Sequence, residues 1–291
     1  MELRQLRYFI KAAELNNFTE AANQLFITQS TLSQQIKTLE DELGLTLFDR
    51  IAKRVRLTEA GRLFLPHAKK TCQDAEDGRQ LLKDLSGLKT GTLTIGATYG
   101  LTDLLTKTLI RYARLYPHIK LQIGFGTTSE LKRKLDDGLL DFMLSFLPGG
   151  DPLFNSALSL IVSKKDPLAQ KNSIPLKSLT TLPILLPSKG YSIRNLLDDK
   201  LMSQQIDLDI KMEVNDIHTL LELVSSGQWY TVLMNTSLFS HHPSLVAIPL
   251  SGKDMERQAT ITWPEESYRK RSALLFANLL VSLSANGDSN K

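Results

Sequence analysis

The segment from Phe18 to Arg62 constrains the fold of this chain most strongly, because it joins two helical patterns, a short turn and a basic ribbon. The apolar residues of the second helical pattern fall on one stripe: Leu32, Ile36, Leu39 and Leu43. Thr28 can cap the start of this helix and Gly44 its end, which predicts a helix from about Gln29 to Leu43. A shorter helix precedes it, with Thr19 as the expected cap and an apolar face of Ala21, Ala22 and Leu25. Two helices joined by a short turn form a helix-turn-helix.

The opposite stripe of the second helix carries mainly amide and hydroxyl side chains, whereas ordinary solvated helices favour Lys and Glu. Its members are Gln29, Ser30, Ser33, Gln34 and Lys37. Glutamine can pair bidentately with adenine, and serine or threonine can bond several base edges in the major groove. We therefore predict that this helix enters the major groove of DNA. The expected contacts with base edges come from Gln29, Ser30, Thr31, Ser33 and Gln34, and those with phosphates from Thr28 and Lys37.

Beyond Gly44, a basic run alternates with Val55 and Leu57, which is typical of a short, half-buried ribbon whose cationic side faces outward. Such a wing would contact phosphates through Arg50, Lys53, Arg54 and Arg56. A short basic run taken alone is more often a solvated surface. Because this basic run directly follows a helix-turn-helix, we favour a DNA-contacting wing over a solvated surface.

These residues resemble the LysR-type transcriptional regulators. The likeness is carried by FTEAANQLFITQSTLSQQIKTLEDELGLTLFDR, which is followed by a basic turn and LTEAG. Both stretches have the residue types and spacing of that family's winged helix-turn-helix, and the order of later strands and helices extends the resemblance more weakly across nearly the whole chain. Gln34 stands where many members carry Arg, so the guanine contact that Arg favours is not implied here.

The resemblance implies a regulator that binds a promoter pseudo-palindrome as a dimer or tetramer and responds to a small-molecule effector. Its partners would be double-stranded promoter DNA, an effector such as a small organic anion, further copies of the chain and, for an activator, RNA polymerase. Two other classes of function stay open: a small-molecule sensor without specific DNA binding, and a nucleotide-dependent enzyme.

Composition limits the number of domains and the compartment. A chain of 291 residues exceeds one typical domain, so two or three units are expected. The net charge of +4 permits nucleic-acid binding without requiring it. Cys72 is the only cysteine, which excludes an intrachain disulfide and fits a reduced compartment. Because no run approaches the length of a membrane span, we expect the protein in the cytoplasm.

A first helix should complete the N-terminal winged helix-turn-helix, which we call the head. Its inner face consists of Leu3, Leu6, Phe9, Ile10 and Ala13. A long helical pattern then runs from Glu59 to about Leu88, with Pro66 tolerable near its beginning. Its approximate seam consists of Ala68, Cys72, Ala75, Leu82 and Leu85. We predict that this linker helix dimerises, because two half-sites require two heads on a two-fold axis. The alternative is a helix packed on its own domain, and Cys72 is expected to be a core or interface residue rather than a redox sensor.

After Gly91 the pattern alternates between strands and helices, which predicts a parallel-type α/β sheet. The expected strands are Leu93–Ala97, Ile119–Phe125, Asp141–Phe146, Leu158–Val162, Pro183–Leu186, Ile210–Val214, Tyr230–Met234 and Ala259–Trp263. The expected helices are Leu101–Tyr116, Ser129–Asp137, Ser192–Leu201, Asp216–Ser226 and Ser267–Ser284. We expect two lobes, with the polypeptide chain crossing between them twice. The last strand and the last helix should return to the first lobe.

The resulting fold class is α/β overall, with an N-terminal all-α winged helix-turn-helix, a long linker helix and a two-lobed domain similar to periplasmic solute-binding proteins. The expected domains are the head at 1–58, the linker at 59–88, the effector-binding domain at 89–285 and a disordered tail at 286–291. Within the effector-binding domain we expect lobe 1 at about 89–160 plus 264–285 and lobe 2 at about 161–263.

A cleft between the lobes is the expected effector site, because strands that end at helix starts present free backbone N–H groups to an anion. The polar residues after these strands are Thr98, Tyr99, Thr102, Thr127, Thr128, Ser129, Ser188, Tyr191, Ser192, Asn215 and Asp216. In the resembled family these loops line the ligand pocket, whereas the simpler alternative is that the Thr and Ser residues only cap helices. Trp229 and Tyr230 either narrow the pocket or fill the core.

No catalytic or metal-binding pattern emerges from the sequence. The segment from Gly124 to Ser129 loosely resembles a dinucleotide fingerprint but has Ser at the third glycine, and Asp141 stands at the wrong end of the next strand. The histidines, at positions 67, 118, 218, 241 and 242, lack metal-ligand spacing with Cys or acidic partners. We expect no catalytic residue, no metal and no cofactor.

Overall fold

The computed structural model describes residues 1–51, 54–85, 90–238, 242–265 and 267–287. They divide into two units, one from Met1–Gly87 with Glu265–Lys270 and one from Leu88–Pro264 with Arg271–Lys291. None of the helices in these residues combines the length and hydropathy needed to cross a membrane.

The first unit contains the predicted winged helix-turn-helix. Its elements are α1 (Leu3–Leu15), α2 (Phe18–Gln24), α3 (Gln29–Leu43), β1 (Phe48–Ile51), β2 (Arg54–Leu57) and α4 (Glu59–Leu85). The bounds of α3 agree with the sequence prediction because both caps form: the Thr28 hydroxyl accepts from the Thr31 N–H at 3.1 Å, and Gly44 takes a φ of 68°. Glycine adopts such a left-handed conformation without steric cost.

Aromatic rings and small side chains fill the core of the head. Phe9 is fully buried, and its ring centroid lies 5.5 Å from those of Phe48 and Phe64. Ala12, Ala21 and other small residues allow the helices to approach closely, since a core must be filled to near-crystalline density. The core thereby fixes α3 relative to the β1–β2 wing.

Three sequence predictions about the head were wrong in detail. Leu3 and Leu43 are 41% and 37% exposed, because they lie at the ends of α1 and α3, beyond the edge of the core. The cap of α2 is Asn17 rather than Thr19, because α2 begins at Phe18 and leaves Thr19 inside the helix. The Asn17 side chain accepts from the N–H groups of Thr19 and Glu20 at 3.0 and 3.1 Å.

The strands of the second unit form one continuous sheet. They are β3 (Gly91–Ala97), β4 (Ile119–Phe125), β5 (Phe142–Ser145), β6 (Asp151–Ser163), β7 (Ile174–Pro175), β8 (Ile184–Pro187), β9 (Ile210–Val214), β10 (Tyr230–Met234), β11 (Leu245–Ser251) and β12 (Glu256–Thr262). The main path of the sheet runs in the order β4-β3-β5-β12-β6-β10-β8-β9, while β11 pairs with β6 and β7.

The sheet is mixed, so the prediction of a parallel-type sheet was only partly correct. Within each lobe three strands are parallel, but β6 and β12 run antiparallel to their neighbours. The reason is that β6 follows β5 through a short turn without a crossover helix, and parallel pairing requires such a crossover. The first half of β6 pairs with β12 and the second half with β10 and β11, so this strand carries the chain from one lobe to the other.

The second crossing occurs between β11 and β12, since β12 pairs with β5 and β6 of the first lobe. The last strand returns to the first lobe, as the sequence predicted, but the chain leaves the second lobe before residue 256, earlier than the boundary at about 263 that we expected. Strands β7 and β11 were not predicted, because β7 has two residues and a proline, Pro249, argues against a strand in the sequence of β11.

The helices of the second unit are α5 (Thr102–Leu115), α6 (Thr128–Asp136), α7 (Ser192–Ser203), α8 (Ile217–Ser225) and α9 (Arg271–Gly287). The α9 helix packs on α5, and the Tyr112 hydroxyl donates to the Ser272 carbonyl at 3.1 Å. This contact confirms that the last helix returns to the first lobe. The expected tail at 286–291 lies largely outside the described residues.

Candidate functional site

One face of α3 is buried and the other is open to solvent. Leu32, Ile36 and Leu39 are fully buried in the core of the head. The predicted base-reading residues lie on the remaining faces: Gln29, Ser30, Thr31 and Gln34 are exposed, and Ser33 is half-buried. The phosphate candidates Thr28 and Lys37 are also exposed. The structure therefore places the polar residues of α3 together at the surface, where a major groove could receive them.

Hydroxyl groups organise the N-terminus of α3. The Thr28 hydroxyl lies 2.9 Å from that of Ser30 and 2.7 Å from that of Thr31. These bonds hold three short side chains in one cluster at the end of the helix that enters the groove in helix-turn-helix proteins.

The turn before α3 exposes an aromatic ring that sequence reasoning missed. Phe26 is 95% exposed and has a φ of 56°, a left-handed conformation that is strained for a bulky residue. Its N–H donates to the Asn23 carbonyl at 3.1 Å, which fixes the turn. An apolar residue such as Phe26 is normally expected to be buried. Only the end of α2 just before it could have indicated that its ring is exposed.

The predicted wing is an antiparallel hairpin. Val55 and Leu57 of β2 pack against the head core, while Arg56 points to solvent with Asp49 opposite it in register. Arg50 and Arg54 lie on β1 and β2, and Lys53 lies outside the described residues. The alternation of apolar and basic residues thus produces the half-buried ribbon that the sequence predicted.

A buried carboxylate joins α3 to the wing. Glu40 is 8% exposed, and its Oε1 accepts from the N–H groups of Leu47 and Phe48 at 2.7 and 3.1 Å. Bonds to an ionised group are roughly twice as strong as neutral ones. These contacts position the first strand of the wing.

The linker helix α4 has two different halves. Ala68 is 1% exposed and Cys72 packs partly against the core of its own head, so Ala68 was wrongly assigned to a dimer seam. Further along, Ala75 is exposed, and Leu81 and Leu82 are 41% and 66% exposed. Apolar surface open to a second copy thus includes Leu81 and Leu82 of the second half, in addition to Leu63 near the start of the helix, which is 68% exposed.

Cys72 lacks the environment of a reactive thiol. Burial raises its pKa, and the nearby positive charge of Arg7 lowers it by less. Because the thiolate is the reactive form, a raised pKa makes Cys72 a weak nucleophile at neutral pH.

In the second unit, a small cavity lies between the lobes. Six of the predicted effector residues line it: Thr98, Tyr99, Thr127, Thr128, Tyr191 and Ser192. Further lining residues, which the sequence did not identify, are Gly100, Phe146, Ile193, Ile217, Leu233, Met234 and Ser237. The remaining candidates lie outside the lining: Thr102, Ser129, Ser188, Asn215 and Asp216.

The cavity is nearly closed. Its free space is about 30 Å³, which holds one or two water molecules. Tyr99 of the first lobe stacks on Phe125 with ring centroids 5.2 Å apart, and the Tyr191 ring of the second lobe lies 6.1 Å from Tyr99. The Tyr191 hydroxyl donates to the Asn215 carbonyl at 2.5 Å, and its pKa is raised chiefly by burial. A larger ligand needs more space than this cavity offers, and the Tyr99 and Tyr191 rings line it from the two lobes.

Two hydroxyl groups in the cavity lack a partner in the described protein. Thr98 Oγ1 and Thr128 Oγ1 are buried without a hydrogen bond. A buried polar group of this kind costs free energy unless a ligand or a water satisfies it. For these two residues the structure does not support the alternative that they act only as helix caps.

Other candidates do cap helices. Thr127 forms a capping box with Glu130, and hydrogen bonds from Thr127 lower the pKa of the Glu130 carboxyl. Asp216 caps α8 by accepting from the Thr219 N–H and hydroxyl at 2.7 Å, which lowers its pKa. By contrast, no side chain caps α7, which begins at Ser192 beside the cavity. The N-terminus of α7 thus keeps its N–H groups available for an anion.

Trp229 and Tyr230 fill the cores and do not line the cavity. Trp229 packs against the apolar cluster around α8, and Tyr230 packs against the main core of the unit. The Tyr230 hydroxyl donates to Asp166 at 2.6 Å, and burial raises its pKa to about 12. The core alternative that the sequence left open is therefore the correct one.

Comparison with known families identifies the architecture. The profile of the bacterial regulatory helix-turn-helix proteins of the lysR family matches residues 3–62, and the LysR substrate binding domain matches residues 86–284. The chain belongs to the LysR family. It is thus a DNA-binding transcription regulator with a helix-turn-helix head and an effector-binding domain, as the sequence predicted.

Individual relatives of this LysR-family regulator span most of its length. It is 29% identical to a probable nitrogen assimilation transcriptional activator of Synechococcus elongatus over 283 residues, covering 91% of this chain and 90% of that protein. It is 32% identical to a probable RuBisCO transcriptional regulator of Thalassiosira pseudonana over 240 residues, covering 77% and 78% of the two chains. A solved structure of a full-length OxyR variant from Pseudomonas aeruginosa matches with a TM-score of 0.76 and 29% identity, covering 96% and 94%.

The structure of this LysR-family regulator also brings together three side chains of types that can bind a metal ion, a grouping that the sequence spacing did not predict. Ligand atoms of His218, Glu222 and His242 lie within 4.8 Å of one another. His67 and His118 are exposed elsewhere, and His241 lies outside the described residues. The set was missed because His242 follows the others by a whole strand and approaches them only in the fold.

Proposed function

We propose that this regulator reads promoter DNA through the exposed face of α3 and steadies itself on phosphates through the wing. The observation that carries the proposal is the division of α3 into a buried apolar face and an open face of amide and hydroxyl side chains. Residues with these side chains read base edges, whereas a merely solvated helix has no need of them. The base-reading set comprises Gln29, Ser30, Thr31, Ser33 and Gln34.

Arg56 is the wing residue whose contribution is simplest to test. Replacing it with alanine should weaken binding to all DNA sequences about equally, because a phosphate contact carries no sequence information. The slope of log affinity against log salt should fall by about one unit. Fluorescence anisotropy with a specific and a random duplex at several salt concentrations measures both quantities.

An arginine on another domain provides the control for this prediction. Arg114 is exposed on α5 of the effector-binding unit, and an Arg114→Ala variant should bind DNA like the wild type. A loss confined to one DNA sequence in the Arg56→Ala variant would show that the wing reads bases and would contradict the phosphate role.

The second half of α4 is proposed to pair two copies of the chain. Leu81 and Leu82 supply exposed apolar surface there, whereas Ala68 and Cys72 of the first half pack against the core of their own head. Two heads on a two-fold axis would then contact two half-sites of a pseudo-palindrome. We expect the regulator to act in the cytoplasm, where its promoter DNA lies, and we propose no enzymatic step.

The cleft is proposed to bind a small organic anion with an apolar body. The unpartnered hydroxyl groups of Thr98 and Thr128 and the uncapped start of α7 supply donors, while Ile217, Phe146 and their neighbours supply apolar contact. Binding must open the aromatic contact between Tyr99 and Tyr191. If ligand and DNA favour different lobe arrangements, each changes the affinity of the protein for the other by the same factor.

Replacing both Thr98 and Thr128 with valine separates stability from effector binding. The free energy of unfolding should stay equal or rise by up to about 1 kcal/mol, because each substitution removes an unsatisfied hydroxyl. Affinity for the effector should fall about 10- to 100-fold for each lost charge-assisted bond. A panel of small mono- and dicarboxylates, screened by thermal shift and then by calorimetry, supplies the ligand for both measurements.

Thr231 is the matched control for the cleft. Its hydroxyl is likewise buried without a partner, but it lies on β10 away from the cavity lining. Thr231→Val should have a similar effect on stability and no effect on carboxylate binding. A carboxylate that binds the double variant as tightly as the wild type would refute the proposed contacts.

A further inference from the structure

We infer that His218, Glu222 and His242 form a binding site for a divalent transition-metal ion of the zinc class on the second lobe. The three side chains each offer one ligand atom, and these atoms lie within 4.8 Å of one another. Two imidazoles and one carboxylate are a ligand set that proteins use for zinc, with a further position open to water or another ligand. This site is separate from the DNA-binding face and from the effector cavity.

The α8 helix presents two of the ligands on one face. His218 and Glu222 are the second and sixth residues of this helix, and residues four apart are neighbours on a helix surface. The helix itself is anchored by Ile217, Leu220, Leu221 and Val224, which are buried in the second lobe. Its outer face is therefore held in a fixed orientation toward the segment that contains His242.

A tight turn fixes the third ligand. The His242 carbonyl accepts from the Leu245 N–H at 3.1 Å, and the Ser244 carbonyl accepts from the Lys164 N–H at 2.7 Å. The Ser244 hydroxyl also lies 3.3 Å from the hydroxyl of Ser225 at the end of α8. The backbone of His242 is thus held against α8, and its side chain is only 9% exposed.

The distances fit a site that needs small side-chain movements. Ligand atoms of a tetrahedral zinc ion lie roughly 3.3 Å apart, given metal–ligand bonds of about 2.0–2.1 Å. His242 Nδ1 and Glu222 Oε1 are separated by 3.9 Å, and the rings of His218 and His242 have centroids 6.0 Å apart. Glu222 is 60% exposed and can change rotamer at little cost.

An ordinary ion pair between Glu222 and His242 explains the arrangement less well. Their separation of 3.9 Å is too long for a hydrogen bond. It also leaves unexplained why a second imidazole, that of His218, shares the same space. One metal ion would engage all three groups together.

The ligand chemistry selects the class of metal. Imidazole nitrogen suits zinc, copper, nickel and cobalt, whereas magnesium and calcium prefer sites made of oxygen ligands. A bound ion would fasten α8 to the turn that leads into β11. Because Ile217 of α8 lines the effector cavity, the metal would also brace one wall of that cavity.

Zinc titration of the full-length protein tests the site. Protein freed of metal with a chelator is titrated with zinc chloride by calorimetry, alongside His218→Ala, Glu222→Gln and His242→Ala variants. His118→Ala is the control, since His118 is an exposed histidine of the first lobe. Far-UV circular dichroism establishes that each variant is folded, and cobalt(II) absorption reports the type of ligand.

The wild type and His118→Ala should each bind one zinc per chain, and each of the three ligand variants should bind at least about tenfold more weakly. Cobalt(II) should give visible bands of nitrogen and oxygen coordination. The inference is overturned if the wild type takes up no zinc, or if any ligand variant keeps full affinity. An intense sulfur-to-cobalt charge-transfer band would instead assign the ion to Cys72 and would overturn it as well.

Discussion

Replacing Gly61 with alanine is expected to lower the free energy of unfolding of the head by about 3 kcal/mol or more. A Cβ at this position would lie 2.2 Å from the Leu47 carbonyl oxygen and 2.9 Å from Leu57 Cδ2. The oxygen cannot withdraw easily, because it accepts from the Thr58 N–H at 3.0 Å, and the Leu47 N–H is bound to Glu40 at 2.7 Å. Relief of the clash must therefore displace the start of α4 from the wing.

The two tryptophans allow the head to be measured separately. Trp229 and Trp263 both belong to the effector-binding unit, so their fluorescence follows that unit alone. In urea denaturation, Gly61→Ala should shift the early part of the far-UV circular dichroism transition and leave the fluorescence transition in place. DNA binding should be lost under conditions that unfold the head.

Gly78 lies on the same helix and is the matched control. A Cβ there meets nothing within 4 Å, so Gly78→Ala should stabilise α4 by about 0.5–1 kcal/mol through the higher helix propensity of alanine. If Gly61→Ala were as harmless as Gly78→Ala, the close packing of α4 on the wing would be refuted.

Replacing Gln29 and Gln34 together with alanine should abolish most sequence preference. Each bidentate contact between glutamine and adenine discriminates by about 1–3 kcal/mol, so the pair corresponds to a loss of about 30- to 20,000-fold in specific affinity. Affinity for random DNA should change little, because phosphate contacts dominate nonspecific binding. Both residues are exposed on α3, and alanine favours the helix, so the head should stay folded.

Competition binding with specific and random duplexes measures this effect. Gln204→Ala is the control, since Gln204 is an exposed glutamine at the end of α7 in the other unit. An equal loss on both duplexes would mean that the two glutamines contribute to general affinity and do not read bases.

Local patterns were sufficient to predict the main elements of the head. Thr28 and Gly44 fixed α3 to the residue, because both caps depend on neighbouring backbone alone. The wing followed from the alternation of Val55, Arg56 and Leu57. The role of Glu40 could not be predicted, because its partners Leu47 and Phe48 lie beyond a turn whose path the sequence does not specify.

Long-range pairing limited the prediction of the effector-binding unit. Strands β3, β4 and β10 were identifiable from their apolar residues, but nothing local indicates that β6 crosses between lobes or that the chain has already returned to the first lobe by residue 256. Long-range packing also limited the prediction of the effector cavity and of the cluster of His218, Glu222 and His242. Thr98 and Thr128 were predicted from their positions after strands, whereas the approach of His242 to α8 depends on the packing of β10 and β11.

A DNase footprint of the purified protein on the region upstream of its own gene, at near-physiological salt, tests most directly whether α3 reads promoter DNA. The wild type should protect two patches on one face of the duplex, and the Gln29→Ala, Gln34→Ala double variant should lose both while Gln204→Ala keeps them. Protection that persists unchanged in the double variant would contradict base reading by α3. So would a wild type that protects no part of the upstream region and also selects no preferred sequence from random DNA.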